Sequence, residues 1–386
     1  MATSGDPEEV FRFEEETAES SGVPDHGRGG DSREEQDETP GEDLGFREDG
    51  GELPEIRTNL QRLLRALAAL AVGTTLLQLV LGGIVTSMRA GDTDPDWNPF
   101  QAFDWLREVT GGQWYELRHR VLGGLIGILA IALFLLGRKD GRRMFRRLSS
   151  YALWIVILQG VLGGVRVLVV SKPELRAAAS SILGEDGAVD PIRVGFAMAH
   201  ALFAQVTLAL FLLLGAACGK AWYELPALRL PADRLEGLRK LAWRTTLLLF
   251  LQLLLGAFAR HAVYPKPMTG YETVLVLHAF FAILVTGLVA FTSMLSAREL
   301  WGYRLFRRPA VLALIFVLLQ LALGLGAWLV TWEAEVASLP LSLGMFVRGA
   351  HLLNGALLLA AMLLLTLRLG RAIGPTRTES RTLESP

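Results

Sequence analysis

The sequence predicts an all-α polytopic membrane protein, with eight transmembrane helices arranged as two pseudo-symmetric four-helix bundles. Three observations carry this. The chain is 51% hydrophobic over 386 residues, and its apolar runs of about 20 residues match a bilayer core of about 30 Å. A five-residue pattern, QxxLG, recurs on alternate runs, and each of the other runs carries one histidine.

Residues 1–56 hold 19 acidic and 4 basic side chains and are nearly free of periodic apolar residues. Such a segment cannot bury enough surface to offset the entropy of ordering it, so it is expected to be a disordered acidic tail. It lacks the Arg-rich, acid-poor character of an organelle presequence and the basic-then-apolar opening of a secretory signal, which favours a prokaryotic plasma membrane. The other 330 residues carry 20 acids against 34 bases, so the formal net charge of -1 conceals two opposed segments. Cys218 is the sole cysteine, which excludes an intramolecular disulfide and any site built from thiolate pairs.

Length and apolarity place the spans at about 63–88, 117–137, 149–170, 194–217, 243–261, 273–296, 309–331 and 345–367. Lys and Arg near span ends are retained on the cytoplasmic side. The segments 138–147, Lys220 to Arg244 and Arg298 to Arg308 hold 6, 6 and 4 basic residues, whereas Arg89 to Arg118 holds six acids against three bases. Both termini are therefore expected inside. The expected division is a tail (1–56), a first four-helix half (57–217), a cytoplasmic linker (218–242), a second four-helix half (243–370) and a cytoplasmic tail (371–386).

The odd spans repeat Gln78-Leu-Val-Leu-Gly82, Gln159-Gly-Val-Leu-Gly163, Gln252-Leu-Leu-Leu-Gly256 and Gln320-Leu-Ala-Leu-Gly324. Gln and Gly four apart share a helix face. The even spans carry His119, His200, His278 and His351, close to the depth of those glycines. A two-helix unit used four times predicts duplication. The first half owns His119 and His200, the second His278 and His351. Glycines at one height serve close helix packing and also clear room for something flat; the two uses are compatible.

An imidazole inside a bilayer is costly unless it lines a cavity or binds something. A bare divalent ion wants three or four donors, often with carboxylates, and carboxylates near these histidines are few. Paired imidazoles on facing helices suit axial ligation of haem iron better. All four lie toward one face, which implies lateral electron movement or chemistry on one haem. Glu116 stands three residues before His119 and shares its face; it also fits an N-terminal-turn carboxylate interacting with the helix dipole. Glu272 stands six before His278, off its face. His261, beside Arg260, is placed either to touch a haem propionate or to sit as an ordinary interfacial residue.

These elements together, the four QxxLG turns, the ExxHR of Glu116 to Arg120, the Arg260-His261 pair and one histidine per even span, resemble the haem A synthase family over about residues 70–367. The resemblance implies an oxidoreductase that converts a methyl group of haem O into a formyl group, with water as the oxygen source, making haem A for a terminal oxidase. It implies that His278 and His351 hold a resident haem b, and that Glu116, His119 and His200 form the catalytic site for the substrate haem. Haem O synthase and an oxidase assembly factor are the implied protein partners, with membrane lipid around the chain and no nucleic acid. One departure is Asp94-Pro95-Asp96-Trp97, where many members place a cysteine before Pro-Asp-Trp and another shortly after. A thiol relay is excluded in this loop, and the electron acceptor is left open. Two other classes use the same histidines: a bis-haem quinol-oxidising subunit, which has no need of Glu116, and a haem transporter or chaperone.

Overall fold

The computed structural model describes residues 55–88, 90–91, 109–172, 174, 177, 189–219, 222, 225–226, 228–261, 271–336 and 341–372. The acidic tail up to residue 54, the Asp94 to Trp97 segment and the last fourteen residues lie outside them. Eight long helices account for nearly all described residues: α1 (Glu55–Ser87), α2 (Gly111–Gly137), α3 (Arg143–Ser171), α4 (Val189–Ala217), α5 (Ala232–His261), α6 (Tyr271–Glu299), α7 (Arg304–Val336) and α8 (Leu341–Ala372). All eight are long and apolar enough to cross a membrane, and no strand occurs among the described residues.

The helices form because the runs are rich in Leu, Ala and other residues that lose little on entering a helix, and because an apolar medium leaves the backbone no other partner for its polar groups. Hydroxyls inside the helices are handled the same way. Thr74, Thr75 and Thr86 donate to the carbonyls of Leu70, Ala71 and Gly82, one turn back. Pro309 lies inside α7 and cannot donate to the carbonyl four residues earlier. Arg368 of α8 supplies the missing donor, its guanidinium lying 2.5 Å from the Leu305 carbonyl.

The helices pack in cyclic order. α1 meets α2, α2 meets α3, α3 meets α4, and α4 returns to α1; α5 to α8 close a second ring in the same way. The rings meet where α1 and α4 lie against α8 and where α4 lies against α5. Leu79, Leu208 and Ala356 form a small buried cluster joining α1, α4 and α8.

Packing is concentrated at one end. In the first ring the core holds Leu64, Ala68, Ile126, Leu133, Phe145, Phe211 and Leu214, all toward the α2–α3 turn. In the second it holds Leu238, Ala242, Val289, Phe306, Met362 and Leu365, toward the α6–α7 turn. At that turn-bearing end Arg142 braces the first ring, with bonds to both Asp140 oxygens and to the Ala217 carbonyl. Toward the opposite end, expected to face outside, the described residues line a cavity. On the outer surface large apolar side chains stand exposed, among them Trp154, Phe280, Phe291 and Phe346, as they do when the solvent is lipid.

Candidate functional site

Each QxxLG helix meets the histidine of the helix that follows it. A Cβ placed on Gly82, Gly163, Gly256 or Gly324 would lie 3.0, 3.4, 2.9 and 3.1 Å from Cε1 of His119, His200, His278 and His351 respectively. The absent side chain is what leaves the imidazole its space. The glutamine one turn away holds the same histidine. Gln78 Nε2 donates to the His119 carbonyl at 3.0 Å and lies 3.3 Å from its ring Nε2. Gln252 Nε2 donates to the His278 carbonyl at 2.7 Å and lies 3.0 Å from ring Nδ1. Gln320 Nε2 is 3.2 Å from His351 Nδ1, whereas His200 is hydrogen-bonded to the backbone of Gln159.

The four histidines, four glutamines and four glycines all line one continuous cavity of about 2290 Å³. A pocket for an ordinary small molecule is about 300–1,000 Å³, so this one has room for two large flat ligands. The rings of His119 and His200 have centroids 6.4 Å apart and planes inclined at 64°, an edge arrangement. Two imidazoles bound to one ion through metal–nitrogen bonds of about 2 Å, each nitrogen about 1 Å from its ring centre, place the centroids roughly 6 Å apart. The spacing of the pair matches that of two imidazoles on one haem iron. His119 Nδ1 and His200 Nδ1 are buried without a hydrogen-bond partner among the described residues, which leaves polar atoms that a ligand can satisfy. Among the described residues no three His, Cys, Asp or Glu gather to hold a bare metal ion.

Glu116 is buried and lines the cavity. Arg120, one turn along α2, donates to its Oε1 at 2.6 Å. Among the described lining residues Glu116 is the one carboxylate, and Glu272 is exposed and away from the wall. His261 lines the cavity. Arg260 turns toward α1, donating to the Gly83 carbonyl at 2.6 Å and to Ser87 Oγ at 3.0 Å.

Sequence reasoning missed Arg166, Arg193 and Arg348, which also line the cavity. Arg166 follows Gly163 by three residues, Arg260 follows Gly256 by four, and Arg193 and Arg348 precede His200 and His351 by seven and three. Odd and even helices run in opposite directions, so all four arginines are displaced the same way from the histidine level, by about 5–10 Å. A cation at each end of a span reads as an interfacial residue, which hides the layer. The signal was the fixed offset from the Gly and His positions.

None of the curated proteins compared matches the chain. A protein-family model does: it covers residues 100–264, taking in α2 to α5 with Glu116, His119 and His200 and ending before His278 and His351. The family is COX15-CtaA, described as cytochrome oxidase assembly protein, and this part of the chain is similar to it.

Proposed function

We propose that the protein oxidises the methyl group of haem O to the formyl group of haem A, its part in oxidase assembly. The observation that supports this best is the asymmetry of the cavity: two histidine pairs share it, and among the described residues only the first has a buried carboxylate, Glu116, beside a ligand. His119 and His200 hold the substrate iron. His278 and His351 hold a resident haem b, which supplies one-electron redox chemistry when bound.

Conversion of a methyl to a formyl group with one water releases four protons and four electrons, the electrons passing to an acceptor outside this chain. A proton acceptor close to the porphyrin rim therefore lowers the barrier. Glu116 takes that proton at its carboxylate, and the Arg120 guanidinium fixes the carboxylate's position. The apolar wall excludes bulk water and strengthens the interaction between that carboxylate and charge developing on the ring. The arginine layer gives the carboxylates of a porphyrin cationic partners at the outer end. Glu116, His119 and His200 are thus the catalytic set, and His278 and His351 the resident pair. We place the protein in a prokaryotic plasma membrane with both termini in the cytoplasm.

The test is a cell lacking its own enzyme, given this gene and a source of haem O, with haems extracted and separated. Haem A is the expected product. Haem O alone, with the protein well expressed and its haem b present, overturns the assignment; quinol-dependent reduction with no change in extracted haem would identify an electron-transfer subunit instead.

A further inference from the structure

The two histidine pairs share one cavity, but the walls beside them are not of equal bulk. With the two rings of helices laid on each other at their histidines and QxxLG glycines, Gly124 of α2 stands where α6 has Ile283, Gly127 where it has Thr286, and Gly160 of α3 where α7 has Leu321. All six line the cavity. The other two helices of each ring agree: Thr75 of α1 and Thr207 of α4 stand where α5 and α8 present Leu249 and Leu358. Ile126 for Val285 and Ala204 for Gly355 go the other way by one carbon each, too little to refill the space.

Glycine inside a helix costs about 1 kcal/mol relative to alanine, so its use needs a reason. Close helix packing is not the reason at Gly127 and Gly160, where an added Cβ would meet nothing within 4 Å. These glycines widen the part of the cavity in which Nδ1 of His119 and Nδ1 of His200 are buried without a hydrogen-bond partner among the described residues. Depth gives the extra space a direction. α2 runs toward the α2–α3 turn and α3 away from it. Gly124 and Gly127, five and eight after His119, and Gly160, three before Gly163, therefore all lie on the turn side of the histidine level, by about 5–12 Å. The arginine layer lies on the other side. A haem with its two carboxylates at those arginines turns its opposite edge toward the glycines. In haem O that edge carries a long farnesyl-derived chain where protohaem has a vinyl group.

We propose that Gly124, Gly127 and Gly160 admit the prenyl chain of the substrate beside the first pair, and that Ile283 and Leu321 exclude it beside the second, so the two pairs sort haem O from haem b by side-chain volume. This rests on the reading that both pairs ligate haem. The chain gains little by leaving lipid for an equally apolar pocket, so the sorting works by exclusion at the second pair and not by extra grip at the first. A mismatch of one methylene in an apolar pocket already changes discrimination about 10–200-fold.

The experiment uses full-length protein in detergent, titrated with protohaem and with haem O and followed by Soret absorption. A His351→Ala background retains the first pair and a His200→Ala background the second. The first pair should bind the two haems alike, and the second should bind haem O at least about 10-fold more weakly than protohaem. Gly124→Ile combined with Gly160→Leu should bring that discrimination to the first pair, with haem O binding weakened about 10-fold or more and protohaem binding kept. Ile283→Gly combined with Leu321→Gly should remove it from the second. Equal affinity of the second pair for both haems overturns the proposal, and so does a filled first pair that still takes haem O as the parent does. If the filled variant loses both haems together, the opened second pair decides: gained haem O binding supports the sorting and unchanged discrimination removes it. Haem A made by the parent without discrimination between the pairs leaves the catalytic reading standing and removes this one; discrimination without haem A does the reverse.

Discussion

At Gly256 the difference between glycine and alanine is one methyl group aimed at the His278 ring. The contact would be 2.9 Å, against 3.4 Å for the equivalent methyl at Gly163 and His200. Overpacking of this kind costs about 1–3 kcal/mol, and here the ring that must move is a candidate ligand. Gly256→Ala is therefore expected to lower haem content several-fold, whereas Gly163→Ala binds haem nearly as the parent does; pyridine haemochrome assays of the purified variants check the order. Glu116 is harder to probe, because its removal strands Arg120 in a buried site and breaking a buried pair costs about 3–5 kcal/mol. Glu116→Gln keeps the shape and an acceptor for Arg120, so it separates charge from packing. Both Glu116→Gln and Glu116→Ala should lose most haem A formation while haem b at His278 and His351 persists. Full haem A yield from Glu116→Gln removes the carboxylate charge from the mechanism. The histidines, glutamines and glycines were legible in the sequence because a ligating or small residue in an apolar run stands out. Arg166, Arg193 and Arg348 were not, because a cation near the end of a span carries no sign that it lines a cavity.

Among the elements, the eight spans were visible from apolar length, but their ends were not. α5 begins at Ala232 where the apolar run begins near 243, since Asp233 to Arg244 is polar enough to leave the bilayer yet keeps good helix formers. The pairing of each QxxLG helix with the next helix was implied by common depth and fixed only by contact. Which loops face outside is an expectation from the basic-residue bias, open to direct labelling. Gly91 is a poor site for a reporter, as any side chain there collides with the Arg166 guanidinium. Thr110 and Gly141 are exposed at opposite ends of α2. Cysteines placed at these positions should react with an impermeant thiol reagent in intact cells at 110 and only after permeabilisation at 141; the reverse pattern inverts the orientation. Native Cys218 should not interfere. Burial pushes its thiol up to about 11, the Arg142 guanidinium offsetting part of the rise. The thiolate is the reactive form, so alkylation at Cys218 stays slow at neutral pH and rises only as pH approaches that value.

For the molecule as a whole, the question is whether two histidine pairs in one cavity behave independently. Arg260 argues that they do not. It stands on α5, one turn beyond the Gly256 that clears space for His278, yet its guanidinium binds the Gly83 carbonyl of α1, next to the Gly82 that clears space for His119. A charge-assisted hydrogen bond of this kind is worth about 1.5–3 kcal/mol, enough to hold α1 against α5 at the height of both pairs. Arg166 is different. It lies within electrostatic range of His119 and His200 and binds the Gly91 carbonyl; its reach into the second ring is to His261, not to His278 or His351. Arg260→Gln is therefore expected to weaken haem binding at both pairs, by roughly 10-fold or more if the full hydrogen bond is lost. Arg166→Gln should weaken the first pair and leave the second unchanged. Titrating each variant with protohaem, in backgrounds that retain one pair at a time, measures this directly. An Arg260→Gln protein that binds normally at His119 and His200 would mean that the two rings of helices share a cavity without sharing a mechanical link.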